Sequence, residues 1–387
     1  MRIAVVSHTL ARLGGTETYL QEVVPALGAR GHDVACAFEE RPASAEPMAL
    51  SPDVPRWRLP SELELLRAWR PDVLYVHGLR SPRLEAALLD VAPAVLFAHS
   101  YYGTCISGSK TWSVPRPTPC ARRFGAGCLL HFYPHRCGGL GPGGLVRGYR
   151  VQAARLAMLP RYRRVAVFSG HMRAEYERHG LGDRVLVLPA AAPTLPAVRA
   201  ERPRDEWRLL YLGRLEPLKG IDVLVDALSC LDGRLDRPVS LAIAGQGSLR
   251  AHVERRVAAL AAAGRKVAYV GWADASARAR LLAESHLLVV PSLWPEPFGL
   301  VGLEAGRAGV PAVGFERGGI GEWLHDGVTG VLARDATPRA LADAVTSCLA
   351  SADRWERLAA GARRHALALT IERHVAALER VLEEACR

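Results

Sequence analysis

Residues 207–231 carry the sequence WRLLYLGRLEPLKGIDVLVDALSCL, in which an apolar run, a turn and a second apolar segment follow one another. The first part, Trp207–Gly213, has the continuous hydrophobicity of a buried parallel strand. The second part, Pro217–Leu231, spaces its apolar residues along one face of a helix. A strand that turns directly into a helix is how a β-α-β unit opens. This stretch therefore predicts that a doubly wound α/β domain begins here.

The alternation of strand and helix continues on both sides of this stretch. Short apolar runs recur along the chain, and segments with helical spacing separate most of them. The other predicted strands are Arg2–Ser7, Asp33–Phe38, Asp72–His77, Ala94–Ala98, Arg164–Phe168, Arg184–Leu188, Val239–Gly245, Val267–Val270, Leu287–Pro291 and Pro311–Phe315. Continuously apolar strands that alternate with helices are typical of parallel sheets covered on both faces.

A break without periodicity, residues 189–204 with four prolines, divides the chain into two halves. We predict an N-terminal Rossmann-like domain over residues 1–190, a linker over 191–204, a C-terminal Rossmann-like domain over 205–365 and a C-terminal helix over 366–387. Doubly wound domains bind ligands at the carboxyl ends of their strands. The predicted fold is therefore α/β, with two Rossmann-like domains that face each other across a deep cleft containing the site.

Composition and charge narrow the class of protein. The 387 residues are 49% hydrophobic and 23% charged, which is typical of a globular protein and not of a disordered, collagen-like or coiled-coil chain. No apolar run approaches the ~18 residues that a transmembrane helix needs, and no signal peptide is indicated, so a cytoplasmic location is expected. The net charge of +11 favours an anionic partner: a phosphorylated substrate, a lipid surface or a nucleic acid. Because the basic residues are dispersed through both halves, we expect no nucleic-acid partner.

Two cationic side chains follow the strand that opens the second half. Arg214 and Lys219 stand five residues apart in GRLEPLKG, residues 213–220, just before the predicted helix. The two groups together suit a diphosphate, since arginine offers a planar fork and lysine a point charge. Cations at a helix N-terminus oppose the helix macrodipole, so an anion beside them would be stabilising. The alternative is a pair of solvated surface charges.

A second loop, PEPFGLVGLE at residues 295–304, follows the predicted strand Leu287–Pro291. Phe298 and Gly299 precede a helix that has no serine, threonine, aspartate or asparagine to cap its first amides, and free amides at that position bind phosphate. Glu296 lies in the loop. Glu304 lies inside the apolar helix, where a carboxylate without a partner is costly to bury. Sugar hydroxyls would be suitable partners for Glu304, and a structural ion pair is the alternative.

Taken together, these motifs resemble the retaining GT-B glycosyltransferases of family 4, also called group 1. Four segments occur in that family's order and at its spacings: GGTE at residues 14–17, GRLEPLKG at 213–220, AGQGSL at 244–249 and EPFGLVGLEA at 296–305. The two glutamates of the last segment match the family's Glu-x7-Glu signature. The resemblance covers both halves and implies transfer of a sugar from a UDP- or GDP-linked donor to an acceptor, either a glycan, a lipid-linked molecule or a natural product.

The resemblance also implies roles for the matching residues. Arg214 and Lys219 match the cations that bind the donor diphosphate. Glu296 matches the glutamate that binds hydroxyls of the donor sugar, and Glu304 matches the one that holds the nucleotide ribose. The other implied donor-binding residues are Gly14, Gly15, Gly245, Phe298, Gly299, Leu300 and Val301. Without the resemblance, the glycine pair after the first strand would equally suit a flexible loop that caps a helix.

The implied chemistry uses these groups in place of a metal ion. The sequence contains no Asp-x-Asp motif, with which many glycosyltransferases hold a metal. The cations and helix amides are then left to stabilise the leaving diphosphate, so transfer that requires no cofactor is predicted. The family retains anomeric configuration, which implies front-face displacement. His99 follows a predicted strand and matches, more loosely, a histidine near the reacting sugar. His77, which ends another strand, is its competitor, and an ordinary core or surface histidine is the alternative for either.

Four cysteines lie close together in a segment with little periodicity, residues 101–144. They are Cys105, Cys120, Cys128 and Cys137. A loop this long needs a staple or a function, and four thiolates suit a tetrahedral structural zinc site. An iron–sulfur cluster, two disulfides and free thiols are the alternatives. The segment is not a general feature of the family and is predicted to lie on the acceptor side.

One predicted helix suggests contact with a membrane, and two other functions compete with sugar transfer. The helix predicted over Glu62–Trp69 carries leucine and tryptophan among basic residues, which suits peripheral contact with an anionic membrane at its inner face; packing on its own sheet is the alternative. A nucleotide-sugar epimerase of similar architecture fits the EPFG…Glu pattern poorly. A catalytically inactive sugar-nucleotide-binding partner is disfavoured because Arg214, Lys219 and Glu296 are all present.

Overall fold

The computed structural model describes residues 1–11, 14–40, 48–192, 194, 196 and 198–387. Residues 193, 195 and 197 of the predicted linker therefore lie outside the described residues. The chain forms two compact units. The N-terminal unit comprises Met1–Arg116, Cys120–Pro193 and Thr370–Arg387, and the C-terminal unit comprises Thr194–Leu369 with Pro117–Pro119. The end of the chain thus returns to the N-terminal unit.

The first half of the chain alternates strands and helices around a parallel sheet. The strands are β1 (Arg2–Thr9), β2 (Asp33–Glu40), β3 (Arg56–Arg58), β4 (Val73–Val76), β5 (Ala94–Phe97), β6 (Thr111–Trp112), β7 (Thr118–Pro119), β8 (Arg164–Val167) and β9 (Val185–Val187). The helices are α1 (Gly15–Ala29), α2 (Leu63–Trp69), α3 (Pro82–Leu88), α4 (Gly127–His131), α5 (Pro142–Met158) and α6 (Gly170–Glu177). The seven-stranded sheet has the order β3-β2-β1-β4-β5-β8-β9.

The second half repeats this plan. Its strands are β10 (Trp207–Leu212), β11 (Val239–Ala244), β12 (Lys266–Gly271), β13 (Leu287–Val290), β14 (Ala312–Phe315) and β15 (Gly330–Ala333). Its helices, with the helix that ends the chain, are α7 (Ile221–Ser229), α8 (Arg250–Ala262), α9 (Ala275–Glu284), α10 (Val301–Ala308), α11 (Pro338–Cys348), α12 (Ala352–Leu367) and α13 (Ile371–Cys386). The six-stranded parallel sheet has the order β12-β11-β10-β13-β14-β15.

Both sheets reverse their strand order beside the first strand of the unit. β2 and β4 flank β1, and β11 and β13 flank β10. Loops that leave the carboxyl ends of strands at such a point run to opposite faces of the sheet and leave a crevice in which ligands bind. In the C-terminal unit these loops begin at Gly213 and Pro291, and in the N-terminal unit they follow Thr9 and Val76.

The predicted strands are present to within two residues, but two predicted helices differ. The helix predicted over Pro217–Leu231 is interrupted, because Gly220 adopts φ +70° between a 3-10 turn and α7. The predicted C-terminal helix, 366–387, is divided between the end of α12 and α13, whose first turn is capped by the Thr370 hydroxyl. The sequence patterns predicted none of the strands β3, β6, β7 and β15 and none of the helices α3, α4, α5, α6 and α11. Helix α5 gave a weak signal because it contains Gly143, Gly144 and Gly148.

Helix α2 packs inward on its own unit. Leu66 is fully buried, and the Trp69 ring lies 5.5 Å from that of Trp57 on β3. This is the packing that sequence analysis set against membrane contact at Glu62–Trp69, and nothing in the structure supports a membrane contact there. Among the described residues, no helix has both the length and the hydropathy needed to cross a bilayer.

Candidate functional site

A buried carboxylate forms the centre of the candidate site in the C-terminal unit. Glu296, in the loop after β13, is 5% exposed. Its Oε1 accepts a hydrogen bond of 2.6 Å from Lys219 Nζ, in the loop after β10, and one of 2.5 Å from the Ser292 hydroxyl. No described residue hydrogen-bonds to Oε2 of Glu296. One oxygen therefore fixes the carboxylate, and the other can accept from a ligand.

The ammonium group of Lys219 is held from two sides. Besides its ion pair with Glu296, its Nζ lies 5.1 Å from the centre of the Trp294 ring, which places the cation over an aromatic face. The side chain is 19% exposed, so these partners do not fully enclose it. A lysine held in this way presents its charge at one place without further loss of rotamer freedom.

Two glycines allow the loops of Lys219 and Glu296 to meet. Gly220 has φ +70°, and a Cβ there would lie 1.8 Å from the carbonyl oxygen of Pro291. Gly318 has φ +65°, and a Cβ there would lie 2.2 Å from the carbonyl oxygen of Glu296. The left-handed region disfavours L side chains even in open space. Both the conformation and the close approach of backbone therefore require glycine at these positions.

Arg214 is a cation without a partner among the described residues. Its side chain is exposed and forms neither a hydrogen bond nor an ion pair with any described residue. Its backbone is fixed, because the Tyr211 hydroxyl donates to its carbonyl oxygen at 2.8 Å. Beside it, Gly245 has φ +149°, and a Cβ there would lie 1.8 Å from the carbonyl oxygen of Gly213. Gly245 thus lets the loops after β10 and β11 touch.

Helix α10 begins with free amides, as its sequence predicts. The cap position, Leu300, supplies no side-chain hydrogen bond. Among the described residues the amides of Gly299, Leu300 and Val301 donate to no acceptor. The approach to the helix is fixed, because Trp323 Nε1 donates to the carbonyl oxygen of Phe298 at 2.8 Å. Together with the helix macrodipole, these amides form a place where an anion is stabilised.

Glu304 has the structural ion pair that was the alternative to ligand binding. Its Oε2 lies 3.2 Å from Nε of Arg278, on α9. Burial raises the pKa of the Glu304 carboxyl, and the Arg278 guanidinium opposes that rise. Oε1 makes no hydrogen bond with the described residues. The ion pair explains how the carboxylate is tolerated in an apolar helix, and a ribose hydroxyl could bind only through Oε1.

In the N-terminal unit the two candidate histidines are partners and not independent alternatives. His77, after β4, and His99, after β5, share a hydrogen bond of 2.9 Å between Nδ1 of the first and Nε2 of the second. Burial, and secondly His374, lower the pKa of His99 to about 3. Burial also lowers the pKa of His77 well below its ordinary value. Both rings are therefore neutral near pH 7.

A series of hydrogen bonds connects three further side chains next to these rings. His374, on α13, donates from Nδ1 to the carbonyl oxygen of Pro189 at 2.7 Å. Burial lowers the pKa of His374 to about 4, so its ring is neutral and its Nε2 must accept from the Tyr19 hydroxyl at 2.6 Å. The Tyr75 hydroxyl then donates to the Tyr19 oxygen at 2.5 Å. These hydrogen bonds could not be predicted from the sequence, because no local pattern connects the last helix with α1.

Gly14 and Gly15 lie where α1 begins. Gly14 is the cap residue, no side chain caps the helix, and a Cβ at Gly15 would meet nothing within 4 Å. Residues 12 and 13, which lead into this turn, lie outside the described residues. Packing therefore does not require glycine at position 15, and close approach of a ligand stays a prediction for both glycines.

The four clustered cysteines line one cavity, but the structure does not support the predicted zinc site. Cys105, Cys120, Cys128, Cys137 and His131 all face a cavity of about 30 Å³. All four cysteines are free thiols. Within the described ranges, no three or more His, Cys, Asp or Glu side chains are arranged to hold a metal ion. Burial, helped by the neighbouring thiols, raises the pKa of Cys137 to about 11, so this thiol stays protonated near pH 7.

Three residues that sequence analysis did not name contribute to the site. Ser292 donates to Glu296, Trp294 lies under Lys219, and Arg278 pairs with Glu304. Ser292 and Trp294 directly follow β13 at the point where the sheet order reverses, so their positions carried a usable signal. Arg278 carried none, because only packing of α9 on α10 brings it to Glu304.

Two family profiles match the chain. The profile described as Glycosyl transferases group 1 matches residues 197–365, and the profile described as Glycosyltransferase Family 4 matches residues 13–194. The chain is 38% identical over 190 residues to the D-inositol 3-phosphate glycosyltransferase of Geodermatophilus obscurus, which is 45% of this chain and 39% of that protein. It is 34% identical over 227 residues to the GDP-mannose-dependent alpha-(1-6)-phosphatidylinositol dimannoside mannosyltransferase of Mycobacterium tuberculosis. That match covers 56% of this chain and 56% of that protein. The chain thus matches about two fifths to three fifths of the length of these curated relatives.

Solved structures match the chain over nearly its whole length. Sucrose-phosphate synthase from Thermosynechococcus elongatus has a TM-score of 0.75 at 22% identity, covering 99% of both chains. Anabaena Alr3699/HepE, in complex with UDP and glucose, has a TM-score of 0.69 at 16% identity, covering 98% of this chain and 99% of that one. These matches confirm the predicted GT-B class of α/β fold with two Rossmann-like units. The predicted cleft stays a prediction.

Proposed function

The chain belongs to the group 1, or family 4, glycosyltransferases, and on this premise we propose that it moves a sugar from a nucleotide-diphosphate donor to an acceptor hydroxyl. We further propose retention of anomeric configuration and a transfer step that needs no metal ion. One arrangement supports this most: a fixed Lys219–Glu296 pair and an Arg214 side chain that no described residue pairs with, all at the reversal point of the C-terminal sheet.

The cations and amides of the C-terminal unit would bind the diphosphate. Arg214 offers a fork of donors and Lys219 a point charge, and the amides of Gly299, Leu300 and Val301 offer unpaired donors. In the transfer, negative charge builds on the leaving phosphate oxygen while positive charge builds at the anomeric carbon. Groups fixed beside the phosphate before reaction stabilise that charge without reorganisation.

The transfer balances without a further reactant. The bond from the anomeric carbon to the phosphate oxygen breaks, and a bond to the acceptor oxygen forms on the same face of the sugar. The electron pair of the broken bond stays on the diphosphate, which takes up the proton of the acceptor hydroxyl. The free Oε2 of Glu296 would hold a sugar hydroxyl during this step, and Oε1 of Glu304 would hold the ribose.

His99 is proposed to contact the donor sugar as a neutral hydrogen-bonding group. A ring with a pKa of about 3 carries no charge near pH 7, so it neither attracts the diphosphate nor acts as an acid there. The hydrogen bond with His77 fixes the orientation of the ring.

Donor binding tests the proposal directly. Either UDP or GDP is expected to raise the unfolding temperature, since a ligand at about 100 times its dissociation constant stabilises by ~2.7 kcal/mol. Arg214→Ala should reduce that shift, because this arginine is free to bind the diphosphate. Glu296→Gln should keep the shift with the nucleotide and reduce the extra shift with the nucleotide sugar. A nucleotide shift unchanged by Arg214→Ala, or no shift with either nucleotide, would contradict the assignment.

A structural zinc in the cysteine segment stays a prediction, supported only by the shared cavity of the four cysteines. Zinc bound by thiolates would appear as about one metal ion per chain in elemental analysis of the purified protein. Cys120→Ser should abolish it, and Cys348→Ser, a buried cysteine of the C-terminal unit, should not. Four titratable thiols in a metal-free protein would refute the zinc site.

A further inference from the structure

The part of the chain that runs from β5 into the start of α6 carries basic residues without acidic ones. Residues 91–174 contain no aspartate or glutamate, whereas they contain twelve lysines and arginines. The whole chain has a net charge of +11, so this region alone accounts for an excess of that size. A surface with cations and no interspersed acids attracts anionic partners over a distance set by the ionic strength.

Five arginines within residues 122–150 of this region have no acidic partner among the described residues, whereas Arg161 and Arg173, later in the region, pair with Asp90 and Glu177. Arg122, Arg123, Arg136, Arg147 and Arg150 are exposed, and none forms an ion pair with a described residue. Most arginines that do form ion pairs lie elsewhere in the chain, as in the pair of Arg265 with Asp232 or that of Arg234 with Asp343.

The acid that follows this region is already used inside the protein. Glu175, on α6, is 1% exposed and pairs with the buried Lys110 at 2.5 Å and with Arg178 at 3.0 Å. These contacts fix the cysteine segment to α6, as does the hydrogen bond of 2.9 Å from the Phe124 amide to His179 Nε2. Glu175 therefore anchors the segment and does not offset its surface charge.

The same stretch of the chain exposes large apolar side chains. Leu130 is 78% exposed, Leu140 is 66% and Val146 is 48%, and Leu129 and Tyr133 are also exposed. Of the eleven large hydrophobic residues exposed in the described part of the chain, these five fall within residues 129–146. Single exposed apolar residues are ordinary, but a concentration of them marks a surface that contacts something.

We propose that residues 122–150 form a docking surface for an anionic lipid bilayer. Apolar side chains that enter the interface, beside arginines that bind anionic headgroups, are the combination that attaches proteins to a membrane surface without spanning it. A nucleic acid would use the arginines but leave Leu130 and Leu140 in water. The surface comprises the second half of the cysteine segment and the start of α5, not α2. It is independent of the transfer reaction.

Sedimentation of the full chain with lipid vesicles tests the proposal. The protein is expected to sediment with vesicles of phosphatidylcholine and phosphatidylglycerol and to stay in solution with phosphatidylcholine alone. Raising the salt from ~0.1 M to ~1 M shortens the screening length from ~10 Å to ~3 Å and should release much of the protein. Leu130→Ser with Leu140→Ser, and separately Arg147→Glu with Arg150→Glu, should each weaken binding about tenfold or more.

Matched variants of the C-terminal unit provide the controls. Arg255→Glu with Arg357→Glu makes the same change of charge at exposed arginines without ion pairs, and Val270→Ser with Val328→Ser removes exposed apolar residues. Both should bind vesicles like the original chain, and all variants should keep its unfolding temperature.

Three results would overturn the proposal. The first is absence of binding to the anionic vesicles. The second is equal weakening by the control pairs, which would show an effect of overall charge or hydropathy. The third is that Leu130→Ser with Leu140→Ser abolishes self-association in light scattering but leaves vesicle binding intact, which would assign the surface to a second copy of the chain.

Discussion

Replacing Lys219 by alanine is expected to lower the turnover number about 10²- to 10³-fold, the loss usual when one fixed donor to developing charge is removed. In the structure Lys219 is held by Glu296 at 2.6 Å and lies over Trp294 at 5.1 Å. Its charge is therefore in place before the diphosphate leaves. Steady-state transfer with a saturating donor measures the effect, and we expect the turnover number to fall more than donor affinity.

Two further variants separate chemistry from folding. Lys219→Ala removes the partner of a buried carboxylate, so some loss of stability accompanies it. Arg214→Ala removes a side chain that contacts no described residue, and it should lower turnover with an unchanged unfolding temperature. Lys266→Ala, at an exposed lysine paired with Glu206 on the sheet edge, should leave transfer unchanged. Normal turnover in Lys219→Ala and Arg214→Ala together would refute the diphosphate site.

Replacing Gly220 by alanine is expected to destabilise the C-terminal unit by clearly more than the ~1–2 kcal/mol of a left-handed L residue. The added Cβ would lie 1.8 Å from the carbonyl oxygen of Pro291, a backbone atom that cannot move alone. The loops after β10 and β13 would have to separate, which would also part Lys219 from Glu296. Urea unfolding and donor binding, measured on the same variant, should both be impaired.

Gly264→Ala is the matched control. Gly264 has φ +81°, close to that of Gly220, but a Cβ there would meet nothing within 4 Å. It should therefore lose only the conformational part of the free energy and keep donor binding. Equal losses of stability in the two variants would show that the contact with Pro291 is not the cause.

The candidate site could be predicted in part because its residues lie where the fold puts ligands. Arg214 and Lys219 follow the first strand of a doubly wound unit, and Glu296 follows the strand that lies beside it in space. Local sequence marks each loop, through the turn residues and the missing helix cap. It does not show that Lys219 and Glu296 touch, because 77 residues separate them in the chain.

Other parts of the site depended on packing that no local pattern reveals. His77 and His99 were predicted as alternatives, but the structure places them side by side. Strands β4 and β5 are neighbours, and the two rings share a hydrogen bond. Arg278, on the preceding helix, pairs with Glu304. This ion pair offsets the cost of burying the carboxylate, in addition to any hydrogen bond with the proposed ribose.

The amino-acid sequence by itself determined the two parallel sheets, all of their strands except β3 and β15 to within two residues, the family and the loops that carry charge. Each of these depends on short-range periodicity or contiguous motifs. Only the tertiary structure decided which side chains meet. It made Glu296 a carboxylate with one fixed and one free oxygen, joined His374 of the last helix to Tyr19 of the first, and placed the four cysteines around one cavity. Such contacts depend on tertiary packing. The free energy of burial favours them, and that free energy depends on several segments of the chain together and not on any one of them.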